Sequence, residues 1–234
     1  MDNAIQKINL VMEKKITFWD VFALILALLP LAYLYYVYDG LPAIVPVHFG
    51  ADGQPNGYGP RSELFFTGGL LSGMSVLLYL LMKYLPSIDP KKQVKYGQKR
   101  FQQLGMGLVI FMSALNICIV ISAINKGFHS DKLIISLMGL LFVFLGNMMY
   151  NIKPNYFVGV RVPWTLEDEG NWRATHRLAG KVWVAGGIIV TIERLALPSV
   201  IGTYIFLGCV FLMALIPITY SYIYFKNHKT KKDL

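Results

Sequence analysis

The chain has 234 residues, of which 55% are hydrophobic and only 15% charged, with a mean hydropathy of +0.50 and a formal net charge of +9. A soluble domain carries about 25% charged residues, so the composition excludes a freely soluble protein and points to an integral membrane one. The positive balance then reads as basic loops at an anionic membrane surface rather than as direct nucleic-acid binding.

Residues 1–15 form a short basic terminus with Lys7, Lys14 and Lys15. Residues 16–38 approach the roughly 20 apolar residues that cross a bilayer as a helix. The run is too long for a signal-peptide core and no small-residue cleavage pattern follows it, so it reads as a retained span. Trp19 at one end and Tyr33, Tyr35, Tyr36 and Tyr38 at the other suit membrane interfaces, and Pro30 is placed to kink the helix. The loop 39–63 comes next. Residues 43–49 are β-branched and broken by Pro46, as in an irregular edge strand. Asp52-Gly53 and Asn56-Gly57 are turn dipeptides, so the loop is expected to fold against the protein. His48 and Asp52 fall short of a metal-ligand set and are expected to hydrogen-bond within turns.

A second span at 64–85 completes the unit 16–85. Its Gly69 and Gly73 have the G-x-x-x-G spacing of a close helix–helix contact. The unit 86–150 holds a basic loop with Lys91, Lys92, Lys95, Lys99 and Arg100, then spans at 104–124 and 133–150. Asn116 and Asn147 within these spans are expected to bond to neighbouring helices. Cys118 and Cys209 both lie in apolar runs, which suits packing rather than a disulfide. The unit 151–225 holds the polar segment 151–181, a short fifth span at 182–197 and a long sixth at 200–225 with Pro217. Glu193 and Arg194 are adjacent ionisable groups placed near the far interface, where snorkelling is cheap. A basic tail, 226–234, ends the chain.

The segment 151–181 is the one place where Arg, Trp, Glu, Asp, Thr and His crowd together. Thr165 stands at an expected N-cap with Asp168 three residues on, and Glu167, Asp168 and Glu169 fill the first turn. Arg173, Arg177 and Lys181 are four apart and form one basic stripe of an amphipathic helix. Trp172, Thr175, His176 and Ala179 share a neighbouring face.

The predicted fold is therefore all-α: a bundle of six transmembrane helices with both termini cytoplasmic, a folded outer loop and an amphipathic cytoplasmic helix. Charge chooses the orientation. Outer segments hold only Arg61, Lys126, Lys132 and Arg194 of the 22 Lys and Arg, which satisfies the positive-inside rule.

Residues 159–166 (GVRVPWTL), then Trp172, then residues 175–181 (THRLAGK) resemble the signature of the SdpI family of bacterial immunity proteins. Leu41-Pro42, residues 45–49 (VPVHF), Asp52-Gly53, Pro55 and Gly57-Tyr58-Gly59 resemble the N-terminal domain of unknown function, DUF1648-like, often fused to that family. One position departs: Val162 stands where the family pattern has Thr, and offers no hydroxyl.

The resemblance implies a non-enzymatic immunity protein of the bacterial cell membrane, without cofactor or metal. It implies protection against a secreted, membrane-active peptide toxin, and recruitment of a transcriptional repressor to the membrane. A platform with exposed Arg, Trp and His would meet the cytoplasmic partner through Gly159, Arg161, Pro163, Trp164, Trp172, Thr175, His176, Arg177, Gly180 and Lys181. Pro46, His48, Phe49, Asp52, Gly57 and Tyr58 would face the toxin.

Plainer roles stand beside these. The basic stripe suits a grip on anionic lipid, and Trp164 and Trp172 suit interfacial anchoring. A transporter or channel would draw on Asn116, Asn147 and Glu193. A membrane enzyme acting on lipid would need His176 with Glu167 or Glu169, and no H-e-x-x-H, Walker A or G-x-S-x-G motif accompanies them.

Overall fold

A computed structural model of the chain describes residues 16–50, 55–88, 98–125 and 130–229. Lys7, Lys14, Lys15, Asp52 with its turn, Lys91, Lys92, Lys95, Lys126 and residues 230–234 lie outside the described residues. The elements are helix α1 (Phe18–Val37), a 3-10 turn (Tyr38–Gly40), strands β1 (Ile44–Phe49) and β2 (Pro55–Pro60), and helices α2 (Glu63–Ile88), α3 (Gln98–Ile124), α4 (Ser130–Met149), α5 (Pro163–Glu167), α6 (Glu169–Ala196) and α7 (Ser199–Lys229). Among the described residues, five helices are long and apolar enough to cross a membrane: all but α5 and α6. The polar first half of α6 keeps it out of that set. The chain is mostly helical, with one small sheet that an all-α description leaves out.

Two sequence expectations change at α6. The amphipathic helix and the fifth span are one continuous rod of 28 residues, about 42 Å at 1.5 Å per residue. Its N-cap is Asp168, whose carboxylate accepts from the Gly170 and Asn171 N–H groups. Thr165 instead sits inside the five-residue α5, where its hydroxyl donates to carbonyls of the preceding loop at Val160 and Val162. A separate short helix ending in Glu167 is what allows the chain to turn before α6 begins.

The first three long helices pack together around Ala23, Ala27, Tyr79 and Val109. One carboxylate ties two of them. Asp20 accepts from the Thr17 N–H at 2.7 Å, closing the first turn of α1, and also receives Lys83 Nζ at 2.7 Å and the Tyr79 hydroxyl at 2.9 Å from α2. Asn116 behaves as expected of a polar residue in a membrane bundle: buried on α3, it donates to the Gly68 carbonyl of α2 at 3.1 Å. Asn147 does not, and lies exposed on α4.

The expected glycine contact forms elsewhere. A Cβ on Gly69 or Gly73 would meet nothing within 4 Å. The close approach is between α4 and α6. A Cβ on Gly187 would stand 2.5 Å from the Gly139 carbonyl oxygen, and one on Gly180 2.8 Å from that of Gly146. Gly139 and Gly146 are seven apart, as are Gly180 and Gly187, so two turns of each antiparallel helix meet backbone to backbone.

At the far end of α6, Glu193 and Arg194 do not snorkel. Both are buried, 6% and 3% exposed, against the first turns of α7. Arg194 donates to the Ser199 carbonyl at 2.7 Å, and a Cβ on Gly202 would stand 2.5 Å from Glu193 Oε2.

Candidate functional site

The two ends of the bundle carry different structures. At one end, the C-terminal turns of α1 and α3 and the first turn of α2 support the hairpin. Leu41 and Val45 are buried against Leu34, Leu64, Val120 and Ala123. Arg61 clamps the junction: its guanidinium donates to the Tyr38 carbonyl at 2.9 Å and the Leu41 carbonyl at 3.1 Å, and lies 4.5 Å over the Tyr38 ring. The loop is thus folded against the protein. β1 and β2 run antiparallel with irregular register around Pro46, His48 and Phe49, as a Pro-broken strand requires.

Asn56-Gly57 is not a turn but the middle of β2. Gly57 pairs with His48, where a Cβ would come within 2.9 Å of His48 Cβ. His48 Nδ1 bonds to Asn56 Oδ1 across the strands. Asp52 lies outside the described residues. The outward surface of the hairpin is formed by Ile44, Val47, His48 and Tyr58, with Tyr58 63% exposed and Pro46 half-buried.

The other end carries the polar platform. Its loop, 150–162, has little regular structure, so side chains must satisfy its backbone. Asn155 does so locally: its Oδ1 accepts from the Phe157 and Val158 N–H groups at 2.8 and 2.7 Å, an Asx turn, and its Nδ2 donates to the Lys153 and Val158 carbonyls. Trp172 Nε1 donates to the Ile152 carbonyl at 2.9 Å.

His176 completes the frame. Its Nε2 accepts from the Val160 N–H at 2.9 Å while Nδ1 bonds to the Trp172 carbonyl at 2.8 Å, which defines a neutral ring protonated at Nδ1. The ring stacks on Trp172 with centroids 4.0 Å apart. Gly159 adopts φ +113, and any Cβ there would run into His176 Nε2, so that position needs glycine. Burial holds the His176 imidazole below the usual histidine range, partly offset by its bond to the Trp172 carbonyl.

The platform is also pinned to α7 through Ser221. Trp164 Nε1 donates to the Ser221 hydroxyl at 2.8 Å and Asn171 Nδ2 to its carbonyl at 2.9 Å. Thr175 donates to Asn171 Oδ1 at 2.9 Å. Val162, the residue without a hydroxyl, directs its N–H to the Thr165 hydroxyl at 3.2 Å instead.

The sequence-predicted residues therefore divide. Trp172, Thr175, His176 and Gly180 are buried, and Trp164 is half-buried, so Trp and His form an internal frame rather than an exposed face. Arg161, Pro163, Arg177 and Lys181 are exposed, as is Arg173, which pairs with Glu169 at 2.8 Å. Arg161 also donates to the Tyr156 carbonyl. Tyr150, Lys153, Glu169, Arg173, His176 and Arg177 are among the residues that line a cleft of about 380 Å³. Asn155, Asn171 and Ser221 are the residues that motif reading missed. The signal for Asn155 was its place between Pro154 and a turn-like stretch; nothing marked Ser221, deep in an apolar run.

Helices, hairpin and platform together define a multi-pass protein of the cell membrane. Residues 151–221 match the SdpI/YfhL protein family, and residues 25–71 match a domain of unknown function, DUF1648. The chain is 25% identical over 194 residues to the Immunity protein SdpI of Bacillus subtilis (strain 168), covering 82% of this chain and 88% of that relative. No solved structure matches. The resemblance read in the sequence is thus borne out: the chain is similar to the SdpI family over residues 151–221 and to DUF1648 over residues 25–71.

Proposed function

We propose that this protein protects a bacterium against a secreted, membrane-active peptide toxin, by binding rather than by catalysis. In this proposal six helices cross the membrane, the apolar second half of α6 being the sixth span. Both termini are cytoplasmic, the hairpin faces outward and the platform faces the cytoplasm. The observation that carries it is the coincidence of two matched segments with two built surfaces. Residues 25–71 make the hairpin end and residues 151–221 make the platform end of the same bundle. A toxin arriving from outside meets Pro46, His48, Phe49, Asp52, Gly57 and Tyr58. The cytoplasmic partner, a transcriptional repressor, meets the exposed part of the signature: Arg161, Pro163, Arg177 and Lys181. The inner part, the half-buried Gly159 with the buried Trp172, Thr175, His176 and Gly180, holds those side chains in place. Coupling of the two ends requires that both bias one two-state element.

The test is survival of a toxin-sensitive strain challenged with the secreted peptide. Cells carrying the parent should survive, and cells carrying Ile44→Asp/Tyr58→Ala at equal membrane abundance should not. Arg177→Glu/Lys181→Glu should retain insertion and lose toxin-dependent relocation of the repressor to the membrane. Death of cells with a well-inserted parent would sink the proposal.

A further inference from the structure

A second cleft, of about 210 Å³, opens at the platform end of the bundle between the first turns of α3, the last turns of α4 and the loop 158–160. It has no role in the scheme above. Its walls are apolar, formed among others by Leu104, Leu145, Met149, Val160 and the indole of Trp183. Among the described residues Arg100 is the one ionisable side chain lining it, and it is exposed. The depth of the cleft follows from the helices that make it. α3 and α4 are both long and apolar enough to span, Arg100 is the third residue of one and Met149 the last of the other. That is the level where hydrocarbon gives way to headgroups. Apolar walls with a cation at the rim are complementary to one kind of molecule present at that level: an acyl chain carrying an anionic head.

We propose that this cleft is a binding site for an anionic phospholipid, with part of one acyl chain between α3 and α4 and its phosphate at Arg100. The chain lies against Val158, Gly159 and Val160, the stretch that delivers its N–H to His176. A bound lipid therefore braces the platform against the first half of the bundle. The site does not depend on the immunity proposal.

The experiment uses the full-length protein in vesicles of zwitterionic phosphatidylcholine doped with a lipid brominated on its acyl chains, either phosphatidylglycerol or phosphatidylcholine. Bromine quenches a tryptophan it touches, and Trp183 lines the cleft. Phosphatidylglycerol should quench saturably at low mole fraction, and the saturable part should vanish in Trp183→Phe. Arg100→Gln should weaken the preference about fivefold, the ~1 kcal/mol of one basic residue at an anionic surface. Native mass spectrometry of the parent should retain an anionic phospholipid that the Arg100→Gln protein releases. Equal quenching by both brominated lipids would overturn the site. So would a preference that survives Arg100→Gln. Complete shielding of Trp183 from both lipids would mean that a protein segment or a second copy covers the cleft, and would also overturn it.

Discussion

His176 and Val160 are joined by a hydrogen bond of 2.9 Å in which the backbone N–H donates to Nε2, sixteen residues away in the chain. The other ring nitrogen is spent on the Trp172 carbonyl, and the ring face on the Trp172 indole. One side chain thus fixes where the platform loop meets α6. His176→Ala removes the acceptor and leaves a part-buried N–H unmet, at a cost of about 1–3 kcal/mol for the lost bond alone. Gly159→Ala forces a Cβ into the same ring from a left-handed backbone position. Both variants should unfold at lower temperature than the parent in detergent, measured by tryptophan fluorescence. Arg177→Ala, exposed on the same helix, should not.

The same bond predicts a pH dependence. Nε2 accepts from Val160 only while the ring is neutral, and burial holds the folded-state value below the ordinary one. The ordinary imidazole value is about 6.5. Above it neither state binds the proton. As pH falls through it, the unfolded chain takes up a proton that the folded chain refuses, so stability falls with pH until the buried ring itself titrates. The parent's unfolding temperature should therefore drop more steeply below pH 6.5 than that of His176→Gln. Parallel curves for the two proteins would remove His176 as the cause.

Hydropathy and interfacial aromatics made the helices legible because lipid demands continuous apolar runs. The basic stripe of Arg173, Arg177 and Lys181 and the neighbouring face of Trp172, Thr175, His176 and Ala179 followed from helical spacing, and the structure keeps both. What spacing does not tell is which face turns inward. In water, Trp and His beside three cations suggest an exposed binding patch. Here the loop 150–162 folds over them, since its backbone needs their hydrogen-bonding atoms. The N-cap was misplaced because Thr165 and Asp168 are both good caps, and only the short α5 decides between them. Glu193 was misjudged because sequence distance along α6 says nothing of the packing that α7 supplies after a two-residue turn.

Asp20 and Lys83 make a mostly buried ion pair that also closes the first turn of α1. Removing one partner of such a pair costs about 3–5 kcal/mol, because the other charge stays buried, whereas replacing both with apolar groups is close to neutral. Asp20→Leu and Lys83→Met should each lower the unfolding temperature sharply, and the double variant should recover most of the loss. The recovery will be incomplete, since Asp20→Leu also gives up the cap to Thr17. Additive losses in the double variant would mean that the two charges do not depend on each other.

Glycine position gives the sharpest contrast between motif and structure. Gly69 and Gly73 have the spacing of a helix-contact motif, yet a Cβ on either meets open space. Ala there gains helix propensity of about 1 kcal/mol and loses no contact. Gly180 and Gly187 have no such spacing, being seven apart, yet each faces a backbone carbonyl of α4 too closely for a Cβ. Ala there must push two helices apart along their whole seam, because a carbonyl oxygen cannot rotate away as the tip of a side chain can. Gly69→Ala and Gly73→Ala should leave the unfolding temperature unchanged or raise it. Gly180→Ala and Gly187→Ala should lower it by several degrees each, and by less than the sum together, since the first separation relieves the second. Tolerance at all four positions would mean that α4 and α6 do not meet backbone to backbone. Sensitivity at Gly69 and Gly73 alone would place the close contact on the outer face of α2, between two copies of the chain.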